Sequence, residues 1–100
     1  MKSKLVRDKI PEIIKDDGKI PRTHFADKKE FGGMLNKRFQ EEAEEFIQIP
    51  SIEKMADIFE VITAINDFRG WKLEEVIKIQ EKKREKKGAF RRRVILDGIE

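Results

Sequence analysis

The sequence predicts an all-α domain: an antiparallel helical bundle with short extended termini, completed by oligomerisation. Three observations predict it. Apolar residues recur every three or four positions, capping residues and glycines bracket those runs, and one run is apolar on two sides. At 100 residues the chain makes one domain, residues 1–100, with a modest core that a second copy would extend.

Residues 4–10 carry no periodicity and read as extended or irregular. Pro11 suits a first helical position and Gly18 the residue past a helix end, so residues 11–17 read as a short helix. Residues 19–26, with Pro21 and the sole histidine, His24, read as a loop. Asp27 and Glu30 form a capping signature, after which Phe31, Leu35, Phe39, Ala43, Phe46 and Ile47 share one helix face. Gly32 and Gly33 inside that pattern each cost roughly 1 kcal/mol relative to alanine, which moves the expected start towards Met34.

Pro50 ends this helix and Ser51 caps the next. The new helix carries Ile52, Met55, Phe59 and Ile62 on one stripe and Ile58, Val61 and Ile65 on another. Two stripes imply burial on more than one side, as at a bundle centre or a subunit interface. Gly70 closes it. Residues 72–87 form a third long helix with Leu73, Val76, Ile77 and Ile79 apolar and Gly88 as terminator, and residues 89–96 read as a short strand.

Composition narrows the chemistry. With no cysteine there is no disulfide framework, thiolate ligand or cysteine nucleophile. No apolar run approaches the roughly 20 residues of a membrane span, so no membrane partner is expected. With no apolar leader either, a soluble cytoplasmic protein is the expectation. Charge is divided unevenly: residues 82–93 hold eight basic residues against Glu85, a local +7 that leaves −4 on the rest of a chain of net charge +3.

The acids concentrate on consecutive helices, Glu41, Glu42, Glu44 and Glu45 before the Pro50-Ser51 break, Glu53, Asp57 and Glu60 after it. The latter three fall within roughly 60° on a helical wheel, sharing a face with Ala56 and Ala64. Like charges so spaced repel, so that face is either left in water or neutralised by cations. Antiparallel helices would set Glu42 and Glu45 opposite the Asp57 stripe, offering four or five oxygens to a divalent ion. Mg²⁺ keeps waters and binds substrate phosphates, so phosphate chemistry follows. Taken alone, the first cluster is better explained as a solvated helix face, because glutamate is a good helix former, but an acid on the most apolar helix needs a partner.

At these residues the chain resembles the all-α nucleoside triphosphate pyrophosphohydrolases, the MazG-like group that includes dimeric dUTPases and phosphoribosyl-ATP pyrophosphohydrolase. Their pattern is Glu-Glu-x-x-Glu on one helix and Glu-x-x-Asp on the next. The first is matched at Glu41, Glu42 and Glu45; the second has Lys54 three residues before Asp57, so Glu53 or Glu60 would have to supply that carboxylate. Three segments resemble a subfamily of predicted house-cleaning enzymes: residues 5–14 (LVRDKIPEII), 56–62 (ADIFEVI) and 86–93 (KKGAFRRR).

The resemblance implies hydrolysis between the α and β phosphates of a nucleotide, dependent on Mg²⁺ or on Mn²⁺ in its place, with release of pyrophosphate and a monophosphate. It implies that Glu42, Glu45 and Asp57 bind metal, with Glu41 or Glu60 completing the shell or activating water. Arg7 and Lys9, with Lys87 and Arg93, would neutralise the polyphosphate. It also implies a homodimer or homotetramer.

A nucleic-acid-binding module built on residues 82–93 is the main rival. Phe90 is its only stacking ring, and basic residues at a helix end complement the helix dipole with no ligand, which disfavours a nucleic-acid partner. A non-catalytic helical interaction protein is the third reading. His24 reads as a surface residue and Trp71 as packing at a helix junction. Gly32-Gly33 lacks the flanks of a phosphate loop.

Overall fold

Pro11, Asp27, Pro50-Ser51 and Gly70 all mark helix boundaries in the computed structural model, which describes residues 2–100. Four helices follow in order: α1 (Ile10–Asp16), α2 (Lys28–Gln48), α3 (Ile52–Arg69) and α4 (Leu73–Lys87). Among the described residues there is no strand. The strand expected over residues 89–96 is therefore corrected to irregular chain; no extended neighbour lies there to take up its backbone hydrogen bonds.

The caps form as the sequence dictates. The Asp27 carboxylate accepts from the Glu30 N–H at 2.9 Å, and the Ser51 hydroxyl accepts from the Lys54 N–H at 3.1 Å. Gly18 and Gly70, at φ 81° and 73°, sit just past α1 and α3 in the left-handed region. There Lys19 N–H bonds back to the Ile14 carbonyl, and Trp71 N–H to that of Asn66, closing both helices as Schellman motifs. α4 has no side-chain cap at Lys72, but Glu74 and Glu75 in its first turn and Arg84, Lys86 and Lys87 in its last complement its dipole.

α2 begins at Lys28 and runs through Gly32 and Gly33, earlier than the start near Met34 that propensity alone indicates. The reason lies across the bundle. A Cβ on Gly32 would stand 3.0 Å from the Phe68 ring, whereas one on Gly33 would meet nothing within 4 Å. Gly32 thus lets the Phe68 ring approach, and that ring meets Phe31 edge to face at 5.5 Å. Gly33→Ala is expected to stabilise the fold by about 1 kcal/mol through helix propensity, with Gly32→Ala losing that gain to the ring contact. Denaturant midpoints compare the two; an equal gain at both sites would remove this explanation.

Three residues, 49–51, join α2 to α3, so the two run antiparallel. The Phe31–Phe68 contact at one end and a Lys54–Glu45 ion pair at the other fix the register. In it, Leu35 stands level with Ala64, and Glu42 with Asp57. Only α2 and α3 pack along their length. Leu35, 2% exposed, is the buried apolar side chain between them. The two-sided burial expected of α3 is absent in the single chain, because α2 covers one side and Ile52 and Phe59 stay 90% and 64% exposed. The chain is elongated, with a radius of gyration of 18.1 Å against about 13 Å for a compact chain of this length. Among the described residues, no helix is long and apolar enough to cross a membrane.

Candidate functional site

A cleft of about 520 Å³ opens along the α2–α3 seam beneath the N-terminal segment, a volume suited to a small ligand. Its two ends differ in chemistry. Phe31, Leu35, Val61, Ala64 and Phe68 make one end apolar, with Thr63 and Asp67 beside them. Arg7, Arg38, Glu42, Asp57 and Glu60 make the other end charged.

Glu42 is the centre of the charged end. It is 3% exposed, on the face of α2 that meets α3, one helical repeat beyond Leu35. Arg38, one turn earlier, donates Nη2–H to Glu42 Oε1, and its Nη1 lies 3.5 Å from Glu41 Oε2. Glu42 Oε2 is buried without a hydrogen-bond partner. Burial pushes the Glu42 carboxyl above the usual glutamate range; Arg38 opposes the rise, and the charges of Glu45 and Asp57 reinforce it. A buried carboxylate with one oxygen pinned and the other bare stores an unmet demand for a cation or donor.

Asp57 is half-buried on α3, and Arg7 reaches it from the N-terminal segment, Nη2 to Oδ1 at 2.9 Å. One turn along the seam, Lys54 Nζ donates to Glu45 Oε2 at 2.9 Å. That hydrogen bond is the main reason the Glu45 carboxyl is held below the usual glutamate range and the Lys54 ammonium above the usual lysine range. Three of the acids thus have a cation of their own: Glu42 Arg38, Glu45 Lys54, and Asp57 Arg7.

The sequence-predicted residues divide accordingly. Arg7, Glu42, Asp57 and Glu60 line the cleft together. Glu41, half-buried, and Glu45, exposed, flank it without lining it. Glu53 is exposed on α3 and away from the cleft wall, because only Asp57 and Glu60 of that acidic stripe turn towards the seam. Lys9 precedes α1, Lys87 ends α4 and Arg93 lies in the tail; none of the three lines the cleft. His24 is on the surface, Nε2 donating to the Glu30 carboxylate at 2.9 and 3.0 Å.

Arg38, Asp67 and Phe68 line the cleft but were not singled out from the sequence. For Arg38 a signal existed, an arginine three and four residues before two glutamates. Among the described residues, no three acidic, histidine or cysteine side chains are grouped to hold a metal ion. Mg²⁺ asks for less, often one or two carboxylates with substrate phosphates and waters. The bare Glu42 oxygen beside Asp57 fits that smaller demand. No protein-family profile, curated protein or solved structure matches the chain.

Proposed function

We propose that the cleft binds a nucleoside triphosphate and, with a divalent cation, hydrolyses it between the α and β phosphates to pyrophosphate and a monophosphate. The observation that carries this reading is Glu42, buried, with Oε1 held by Arg38 and Oε2 unpartnered in the wall of a cleft shared with Asp57. The two ends of the cleft suit the two ends of a nucleotide, an apolar end with two phenylalanine rings for the base and a charged end for the phosphates.

Glu42 and Asp57 would hold Mg²⁺, or Mn²⁺ in its place. Such an ion, when bound, neutralises phosphate charge and acidifies water. The chain's residues supply the rest. Arg7 exchanges Asp57 for a phosphate oxygen as the polyphosphate enters, and Arg38 fixes the Glu42 carboxylate so that it need not reorganise. Glu60, exposed on the cleft wall, takes the proton of the attacking water; Glu41, engaged by Arg38, is the poorer candidate. The water oxygen bonds to the α phosphorus, the bond from that phosphorus to the bridging oxygen breaks, and pyrophosphate leaves.

The exposed stripe on α3 supports assembly with further copies of the chain, as a homodimer or homotetramer. The reaction is tested by offering ordinary and damaged triphosphates with Mg²⁺ and with chelator, and separating the products. Pyrophosphate plus monophosphate, appearing only with the metal, is the expected result. A folded protein that cleaves none of them sinks the reading and leaves a helical interaction protein or a nucleic-acid-binding module.

A further inference from the structure

We propose that Asp67 selects the base at the apolar end of the cleft, and that the base it takes carries two adjacent N–H donors, as guanine does. The inference rests on the nucleotide reading above and deepens it by naming the substrate class.

Asp67 lines the cleft from the last turn of α3, one turn beyond Thr63 and next to Phe68. Among the described residues it forms no ion pair, unlike Glu42, Glu45 and Asp57. The helix gains nothing from it, because a negative charge in the last turn opposes the helix dipole. Arg69 does not offset it either; the Arg69 guanidinium stands over the Phe68 ring, 5.6 Å from its centroid.

The hydrogen-bonding character of this end is one-sided. The Thr63 hydroxyl donates its proton to the Phe59 carbonyl at 3.0 Å and has only lone pairs left to offer, and an ionised aspartate accepts without donating. The strong donors of the cleft wall, Arg7 and Arg38, are held at the charged end by Asp57 and by Glu41 and Glu42. A ligand edge that meets Asp67 must therefore donate.

The common bases differ on that demand. Guanine presents its ring N–H and an amino N–H side by side, a pair that the two oxygens of one carboxylate accept in parallel, as they do from arginine. Adenine and cytosine set a bare ring nitrogen beside their amino group, and uracil sets its N–H between two carbonyl oxygens, so each brings a lone pair against the carboxylate. Position agrees with this assignment. Asp67 lies ten residues beyond Asp57 on α3, about 15 Å along the axis, which keeps its charge clear of the phosphates.

The test is equilibrium dialysis of the full chain, in Mg²⁺ buffer, against triphosphates of guanosine, inosine, adenosine and uridine whose α–β bridging oxygen is replaced by CH₂. These analogues report binding whether or not the chain is a hydrolase. The guanosine analogue is expected to bind about tenfold more tightly than the inosine one, which lacks only the amino group, and more tightly still than the other two. Asp67→Asn keeps the shape but turns one acceptor into a donor, and is expected to bring guanosine and inosine within twofold of each other. The ratio is the readout, since removing a negative charge could tighten every anion alike. Asp67 is exposed and unpaired, so the substitution leaves the fold intact, with far-UV dichroism as the control. Equal binding of the four analogues, or a guanosine preference that survives Asp67→Asn, overturns the proposal while the nucleotide reading stands. A folded chain that binds none of them overturns both.

Discussion

Asp57→Ala is expected to lower kcat/KM for pyrophosphate release by about 100- to 1,000-fold, the scale for removing one preorganised group that stabilises developing charge. The helical content should not change. Asp57 is half-buried, its contact is an exposed-side pair with Arg7, and such pairs contribute about 1 kcal/mol or less. Glu42→Gln should lose activity to a similar extent for a different reason. The amide keeps an oxygen to accept from Arg38 but removes the charge that the bare oxygen offers the cleft. Arg7→Ala makes the contrast: if Arg7 meets the polyphosphate mainly on binding, KM rises more than kcat falls. Steady-state rates on the best triphosphate, with far-UV dichroism as the folding control, decide. Asp57→Ala active to within twofold would remove Asp57 from the chemistry.

What could be read from the sequence was what is local in it. Asp27, Ser51 and Gly70 announce their helix ends because a cap acts within four residues, and each cap is made. The antiparallel pairing of the acidic helices follows from the short Pro50-Ser51 break. The burial of Glu42 does not, since its neighbours Glu41, Glu44 and Glu45 offer the same residue type and only the packing of α2 on α3 selects one of them. Arg7 meets Asp57 across 50 positions, and no periodicity spans such a distance. Gly32 misled for a related reason: propensity counts its cost to the helix, while the Phe68 ring that occupies its missing side chain lies on another element. Val94, Ile95 and Leu96 resemble a strand in composition, but a strand is completed by a partner strand, and the described residues contain none.

The bare stripe of α3 leads to the second large effect. A two-helix packing around one buried leucine removes little apolar surface from water, and helices in proteins owe most of their stability to packing of an amphipathic face rather than to propensity. Ile52, Met55 and Phe59 on α3, Phe39 and Ile47 on α2, and Val76, Ile77 and Ile79 on α4 remain exposed, although their spacing is that of core faces. Burying one such side chain contributes roughly 1.5–3 kcal/mol, so covering several of them against a second copy would outweigh anything the single chain gains internally. Light scattering behind a sizing column is therefore expected to give a multiple of 11.8 kDa, and the melting temperature should rise with chain concentration. Phe59→Asp sets a charge in the middle of the stripe; it should shift the mass towards the monomer and lower the melting temperature by several degrees, reflecting the loss of more than 1 kcal/mol. A natural chain that runs as an 11.8 kDa monomer, fully helical and with a concentration-independent melting temperature, would show that α2 and α3 suffice alone. The carboxylate seam lies between those same two helices, so an assembly that steadies them also holds Glu42 and Asp57 at a fixed separation. Dilution below the dissociation constant of the assembly should then weaken Mn²⁺ binding together with helicity.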